Sequence, residues 1–260
     1  MHQKTIKSSI AFQGIGLLFG NSTKVILRPA PPNTGIVFNE KIRAINKNSF
    51  IYRHSLGLKD GPTRIYGVEH LLAACYGLGI DNLLVSVLGK EVSFGDGSAL
   101  PFVRLMQRAG IKNYKVLAKT LSLKIPIIVS VNSSFILALP GQSLSINCFI
   151  HFPQRRIGCQ FWGDKINSIN FQKVLAPART FGQYQNELLL SQFLPFSLQN
   201  ENGIILPKVL RQRAEPVCHK VLDLLGHLAL LNCRLNAEIF AFKPSHQLNQ
   251  KFCRRLELFL

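Results

Sequence analysis

A chain of 260 residues with 47% hydrophobic and only 17% charged residues can bury a real core, as one large domain or two of ordinary size, and that balance excludes intrinsic disorder. The excess of 31 Lys and Arg over 13 Asp and Glu leaves +18 at pH 7, which speaks of anionic partners rather than of a fold. No uninterrupted apolar run approaches the ~20 residues that span a bilayer, and the apolar stretches at 134–139 and 224–231 are too short.

Taken in chain order, residues 4–12 and 23–28 are predicted strands. The Pro- and Gly-rich 29–35 is a turn, followed by a strand at Ile36-Val37-Phe38. From Gly67 the period changes: Val68, Leu71, Leu72 and Cys75 fall at helical spacing, and Gly77 and Gly79 mark a helix end. Leu83 to Leu88 form a buried strand. The loop Phe94-Gly95-Asp96-Gly97-Ser98 then offers Ser98 as N-cap of a helix to about Arg108. A strand run at 119–131 opens the second half. There a helix starts at Glu215-Pro216, where proline suits the first turn, and runs to about Leu231; a strand covers 236–242 and a helix runs from about Gln247 to the end. The order helix, strand, loop, helix thus occurs twice. The expected architecture is α+β in two related domains, 1–115 and 116–260, divided near 112–120.

The N-terminal residues carry positive charge but neither the apolar stretch nor the small-residue cleavage site of a secretory signal. Six scattered cysteines without a C-x-x-C pair fit neither a disulfide framework nor a thiolate zinc knuckle, so reduced thiols in a cytoplasmic chain are expected.

With only 13 carboxylates, those beside a histidine draw attention. Glu69 and His70 are neighbours at the start of the first helix. His219 and Asp223 stand at i and i+4 and lie one above the other on a helical face, ~6 Å apart along the axis. With His70 from the other half, they would form the two-imidazole, one-carboxylate set that leaves zinc an open position. Zinc lowers the pKa of bound water to about 7, and a nearby carboxylate that is not a ligand, here Glu69, can take the proton. Lys220 is positioned to steady an oxyanion. The same His219/Asp223 spacing also describes an ordinary solvated ion pair on a helix surface. His227 continues the stripe but lies ~12 Å along the axis from His219, too far to share one ion, and is expected behind the ligands. His246, opening the last helix, fits an acid or a plain capping residue; His54 and His151 are surface histidines.

Several motifs in the same order resemble UDP-3-O-acyl-N-acetylglucosamine deacetylase, the zinc amidase of lipid A synthesis in Gram-negative bacteria. They are Gly14-Ile15-Gly16-Leu17, the 27–35 segment, Val68-Glu69-His70-Leu71, Gly79-Ile80-Asp81-Asn82, Asp96-Gly97-Ser98-Ala99, Ala178-Arg179-Thr180-Phe181-Gly182, Glu215 to Asp223, and Ser245-His246-Gln247-Leu248-Asn249. The resemblance covers nearly the whole chain. It implies two α+β domains with their helices sandwiched between two sheets and the site at the interface. It implies Zn2+ (or Fe2+) on His70, His219 and Asp223, Glu69 as general base, His246 as general acid, and Lys220 and Thr180 as oxyanion helpers. Phe181 and Leu17 would meet the substrate, and Leu188, Leu189, Leu190, Phe193 and Leu194 would be candidates for an acyl passage.

Four departures stand out. His227 replaces the aspartate that in the family pairs with the catalytic histidine, Pro195 to Asn200 replace a Gly-Gly pair and an aspartate, Cys218 replaces an arginine, and Leu18 replaces a histidine. The implied partner is a UDP-linked acylated glucosamine, with an anionic membrane surface as a second target of the charge; a monomer and no nucleic acid are expected. A weakened or repurposed relative is the rival reading, and a basic nucleic-acid-binding module is the other; the latter would need clustered cations, and only Arg155-Arg156, Arg211-Gln212-Arg213 and Arg254-Arg255 approach that.

Overall fold

A computed structural model describes residues 1–153, 157–181 and 209–260. Gly182, Leu188 to Leu194, Pro195 to Asn200 and Arg155-Arg156 lie outside the described residues.

The fold is α+β, with four principal helices among the described residues held between two main sheets. Helix α1 is Glu69–Leu78, α2 Leu100–Arg108, α3 Glu215–Leu228 and α4 His246–Glu257. The first sheet runs Ile10–Ile15, Ser22–Pro29, Leu83–Leu88, Ile36–Phe38, Ile42–Arg43. The second runs Ile127–Val131, Ser134–Pro140, Arg234–Phe242, Ser145–His151, Cys159–Lys165, with Thr120–Ser122 pairing in parallel beside Arg234–Phe242. In each, the strand that follows the inner helix pairs in parallel within the sheet: Leu83–Leu88 beside Ile36–Phe38, and Arg234–Phe242 beside both Ser145–His151 and Thr120–Ser122. A smaller sheet of Ser49–Tyr52, Ser55–Asp60 and Thr63–Tyr66 leads into α1, and His2–Ile6 pairs with Ile111–Leu117.

Two expected strands are interrupted. The run 4–12 is His2–Ile6 and Ile10–Ile15, parted by a bend at Lys7-Ser8. The run 119–131 is Thr120–Ser122 and Ile127–Val131, parted where Pro126 has no N–H to pair. Helix α2 begins one residue later than the Ser98 cap predicts, with Ala99 at the cap position. Ser98 Oγ donates to Asp96 (2.6 Å) and accepts from Leu100 N–H (3.2 Å).

Helix α3 is the hub. All of its residues are buried except Lys220, as expected of a helix that is apolar nearly all round. It packs on α1 in front, α4 beside it and the second sheet behind. The approach of α1 is possible because Gly226 has no side chain: a Cβ there would stand 2.5 Å from the Glu69 carbonyl oxygen. Gly77 on α1 likewise leaves room for the Phe171 ring. Gly79, in the left-handed region at φ 76, ends α1 and donates its N–H to Cys75 and Tyr76 carbonyls. Ser245 caps α4 by accepting from Leu248 N–H, and Arg254 and Arg255 fall in its last turn, where cations suit the helix dipole.

Candidate functional site

Successive helical residues point ~100° apart, so the adjacent Glu69 and His70 face different neighbours. Glu69 turns to the small sheet, where its carboxylate accepts from Ser55 Oγ (2.9 Å) and Leu56 N–H (3.1 Å). His70 turns to α3. Its Nε2 lies 4.0 Å from Asp223 Oδ1, and His219 Nε2 lies 3.4 Å from the same oxygen. One donor atom from each of the three falls within 4.8 Å of the others. The surface ion-pair alternative for His219 and Asp223 does not hold: they are 2% and 3% exposed.

The donor set fits a metal ion. His219 Nδ1 is 3.1 Å from the Ala178 carbonyl; the ring therefore carries its proton there and leaves the Nε2 lone pair facing Asp223 and His70. Burial, then the neighbouring His219, pushes His70 down to about 3, so its ring is neutral and able to donate a lone pair. Burial works to raise the Asp223 carboxyl, but His219, Lys220, His246 and His70 together hold it well below the usual carboxylate range. Two neutral imidazoles and an ionised carboxylate form a set that can hold a divalent cation.

The flanking groups have distinct environments. Burial pushes the Glu69 carboxyl up to about 8, with Asp223 adding to the effect and the bonds from Ser55 and Leu56 opposing it. Lys220 Nζ reaches Asp223 Oδ2 at 3.1 Å and stands 5.4 Å over the Phe181 ring, which lies edge-on to His219 at 6.2 Å. Thr180 is fixed to the opposite loop, its N–H donating to the Gly97 carbonyl at 2.8 Å. His246 Nε2 is 3.6 Å from Asp223 Oδ2, and burial pushes the ring down to about 4. Leu17 lies elsewhere, in a groove of about 630 Å³ with Phe12, Phe94 and Arg104, whose lining shares no residue with the His-His-Asp cluster.

His227 Nε2 meets His246 Nδ1 at 3.1 Å, and its own Nδ1 is buried with no hydrogen-bond partner. Burial, then His246, lowers the His227 ring well below the ordinary imidazole range. Two neutral rings sharing this contact have two ways to place the proton. If His246 donated, His227 would bury an orphaned Nδ1–H and His246 would turn a bare lone pair toward the Asp223 carboxylate. We therefore assign the bond as His227 Nε2–H donating to His246 Nδ1, which puts the His246 proton on Nε2, facing Asp223.

Sequence reasoning missed the supports. Glu215, 1% exposed, accepts from Arg179 N–H (2.9 Å), Arg179 Nε (2.7 Å) and Arg211 N–H (2.7 Å), tying the Ala178-Arg179-Thr180 loop to the head of α3. Arg211 also pairs with Asp96 at 2.7 Å, linking the loop of the first half to the second. The signal was the scarcity of acids: Glu215 and Asp96 are among the 13. The Ala178 carbonyl and Leu56 N–H carry no side-chain signal at all. Cys218 is a buried thiol pushed up to about 12 by burial. At Leu18 the backbone N–H donates to the Glu91 carboxylate at 2.8 Å.

Fold and cluster together define an α+β protein with a buried two-histidine, one-aspartate pocket between α1 and α3, able to hold a metal ion, with acid-base groups on both sides. The family model described as LpxC: UDP-3-O-acyl N-acetylglycosamine deacetylase matches residues 3–257. Similar curated proteins are the UDP-3-O-acyl-N-acetylglucosamine deacetylases of Geotalea uraniireducens (36% identical, 98% of this chain and 88% of that protein), Chlamydia pneumoniae (35%, 98% and 96%) and Colwellia psychrerythraea (34%, 98% and 89%). The chain belongs to the LpxC family of UDP-3-O-acyl N-acetylglycosamine deacetylases. Among the described residues no helix is long and apolar enough to cross a membrane.

Proposed function

We propose that this chain hydrolyses the N-acetyl group of UDP-3-O-acyl-N-acetylglucosamine, releasing acetate and UDP-3-O-acylglucosamine in lipid A biosynthesis. The observation that carries the reading is the meeting of His70, His219 and Asp223 within 4.8 Å beside a buried Glu69 that is not part of the set. These three residues would hold Zn2+, which when bound supplies Lewis-acid polarisation of the amide carbonyl and acidifies water.

The chain's own groups do the rest. Glu69, raised toward neutral pH, takes the proton of the attacking water. Lys220 offers fixed positive charge to the developing oxyanion, with Thr180 beside it. His246 serves as acid in its imidazolium form, its Nδ1–H then donating to His227 Nε2: it gives its Nε2 proton to the leaving amine as the C–N bond breaks and returns to a neutral ring. Phe181 and Leu17 would contact substrate, and the basic balance would serve the diphosphate and an anionic membrane surface. We read the halves as domains 1–115 and 116–260 of a cytoplasmic monomer.

Metal content of the wild type against His70→Ala and Asp223→Ala, followed by acetate release from Glu69→Ala, tests this. Loss of metal in the first two and retained metal with abolished turnover in the last is expected; full metal in both ligand variants would refute it. A second reading, a weakened or repurposed enzyme, is favoured by the His227 to His246 bond: a neutral donor replaces the carboxylate that would hold His246 as an imidazolium. A metal-loaded protein that releases no acetate from the substrate would select it.

A further inference from the structure

In a sheet with helices on one side, alternate side chains point away from them and face water, and those positions are ordinarily polar. The second sheet obeys the rule inward: Ile136, Ala138, Ile146, Cys148, Ile150 and Ile239 are buried. Outward it breaks the rule. The pairings Phe135 with Phe242, Phe242 with Phe149, and Phe149 with Phe161 set four phenylalanines in one row across four strands. The Phe135 and Phe242 rings stack at 5.6 Å, and those of Phe149 and Phe242 at 5.3 Å. Phe161 is 62% exposed and Phe135 36%. The next row continues with Phe240 and Leu137, and Ile128, 64% exposed, stands opposite Leu137. The described helices that touch this sheet, α3 and α4, pack on the other side, over the buried residues.

Charge decides what such a face meets. On it, Lys243 holds its Nζ 5.4 Å over the Phe242 ring, Lys165 sits at the far end opposite Ser145, and Glu238 is the acid, its carboxylate 3.4 Å from Asn147 Nδ2. Stacking two copies face to face would bring together two chains of +18 each. A negatively charged apolar interface attracts the same surface, at about 1 kcal/mol per nearby cation, and accepts aromatic rings at headgroup depth.

We propose that the outward face of this sheet, centred on the row Phe135, Phe242, Phe149 and Phe161, is the surface by which the protein lies on an anionic phospholipid bilayer. It rests on the reading that an anionic membrane is a target of the basic balance, and it is independent of the deacetylase chemistry.

Cosedimentation with vesicles of phosphatidylcholine, with and without phosphatidylglycerol, tests it. The wild type is expected to bind the phosphatidylglycerol vesicles, more weakly as salt rises. Phe135→Ser/Phe161→Ser, which removes no charge, is expected to lower partitioning at least tenfold. Both residues point outward, so the wild-type melting transition should persist; if it does not, Ile128→Ser on the neighbouring strand replaces the pair and is expected to weaken binding severalfold. No wild-type binding to anionic vesicles overturns the membrane target itself. Binding equal to wild type in the serine variants leaves a charge-driven membrane contact elsewhere and overturns the face. A dimer in light scattering that dissolves in the serine variants assigns the face to a second copy and also overturns it. Acetate release is read separately and bears only on the deacetylase reading.

Discussion

Gly226→Ala is the smallest change that separates the two halves of the candidate site. The added methyl carbon would stand 2.5 Å from the Glu69 carbonyl oxygen and 3.1 Å from its carbonyl carbon, both backbone atoms that cannot swing aside. Restoring an ordinary contact of ~3.5 Å requires α1 and α3 to part by roughly 1 Å at this point. Helix propensity alone would favour alanine by about 1 kcal/mol. Overpacking a dense interior costs about 1–3 kcal/mol or more, and here the clash is with backbone, so the net expected effect is a loss of about 1–2 kcal/mol. For a chain of this size that is roughly 2–8 °C in melting temperature.

The functional effect should exceed the structural one. The displaced atoms belong to Glu69 and its neighbour His70, and a shift of ~1 Å in reacting groups can cost about 10²-fold in rate. Differential scanning fluorimetry, metal analysis and acetate release on the same preparations provide the measurement. Gly61→Ala is the control: φ is +57 and nothing lies within 4 Å of the new atom, so it carries backbone strain of about 1–2 kcal/mol without touching the site. An alanine at 226 that melts at or above the wild-type temperature with full metal and turnover would refute the claim that helix contact sets the site.

Glu69→Gln should keep its metal and lose about 10²–10⁴-fold in turnover, measured by acetate release; a smaller loss assigns the proton to another group. The same substitution has a stability signature in chelator-treated protein. The Glu69 carboxyl goes from its ordinary 4.5 up to about 8 on folding, so its contribution is complete below about 4.5 and is lost as pH rises through 8. Urea midpoints at pH 5 and pH 8 should therefore fall less with rising pH in Glu69→Gln than in wild type, while the histidine contributions, common to both, cancel. His227→Asp should reverse the bond to His246 and raise that imidazole by about 1–3 pH units, carrying the alkaline limb of the pH–rate profile upward with it; an unmoved profile would separate His246 from the acid step. Arg179→Ala leaves Glu215 buried without its guanidinium and should cost about 3–5 kcal/mol in chemical denaturation; a change under 1 kcal/mol would show that the backbone N–H bonds suffice.

Much of the chemistry was local and therefore legible. The spacing of His219 and Asp223, the adjacency of Glu69 and His70, and the proline at the head of α3 are properties of a helix and need only its period. The repeated order of helix, strand, loop and helix followed from hydrophobic period and turn residues. The strands between 134 and 165 did not declare themselves. Segments such as Phe135-Ile136-Leu137-Ala138-Leu139 are apolar on both faces, so the alternation that identifies a half-buried strand is absent.

The partners across the site were decided only when the chain folded. Nothing near His70 in the sequence points to α3, and that meeting depends on a missing side chain at Gly226. The Ala178 carbonyl and the Leu56 N–H, which orient His219 and Glu69, are backbone groups that every residue carries. A substitution such as His227 is visible in the sequence, but which nitrogen holds the proton depends on an unpartnered Nδ1 that exists only in the packed interior. Sequence fixes what one element presents to its surroundings; tertiary packing alone selects what it meets, because those contacts join residues far apart along the chain.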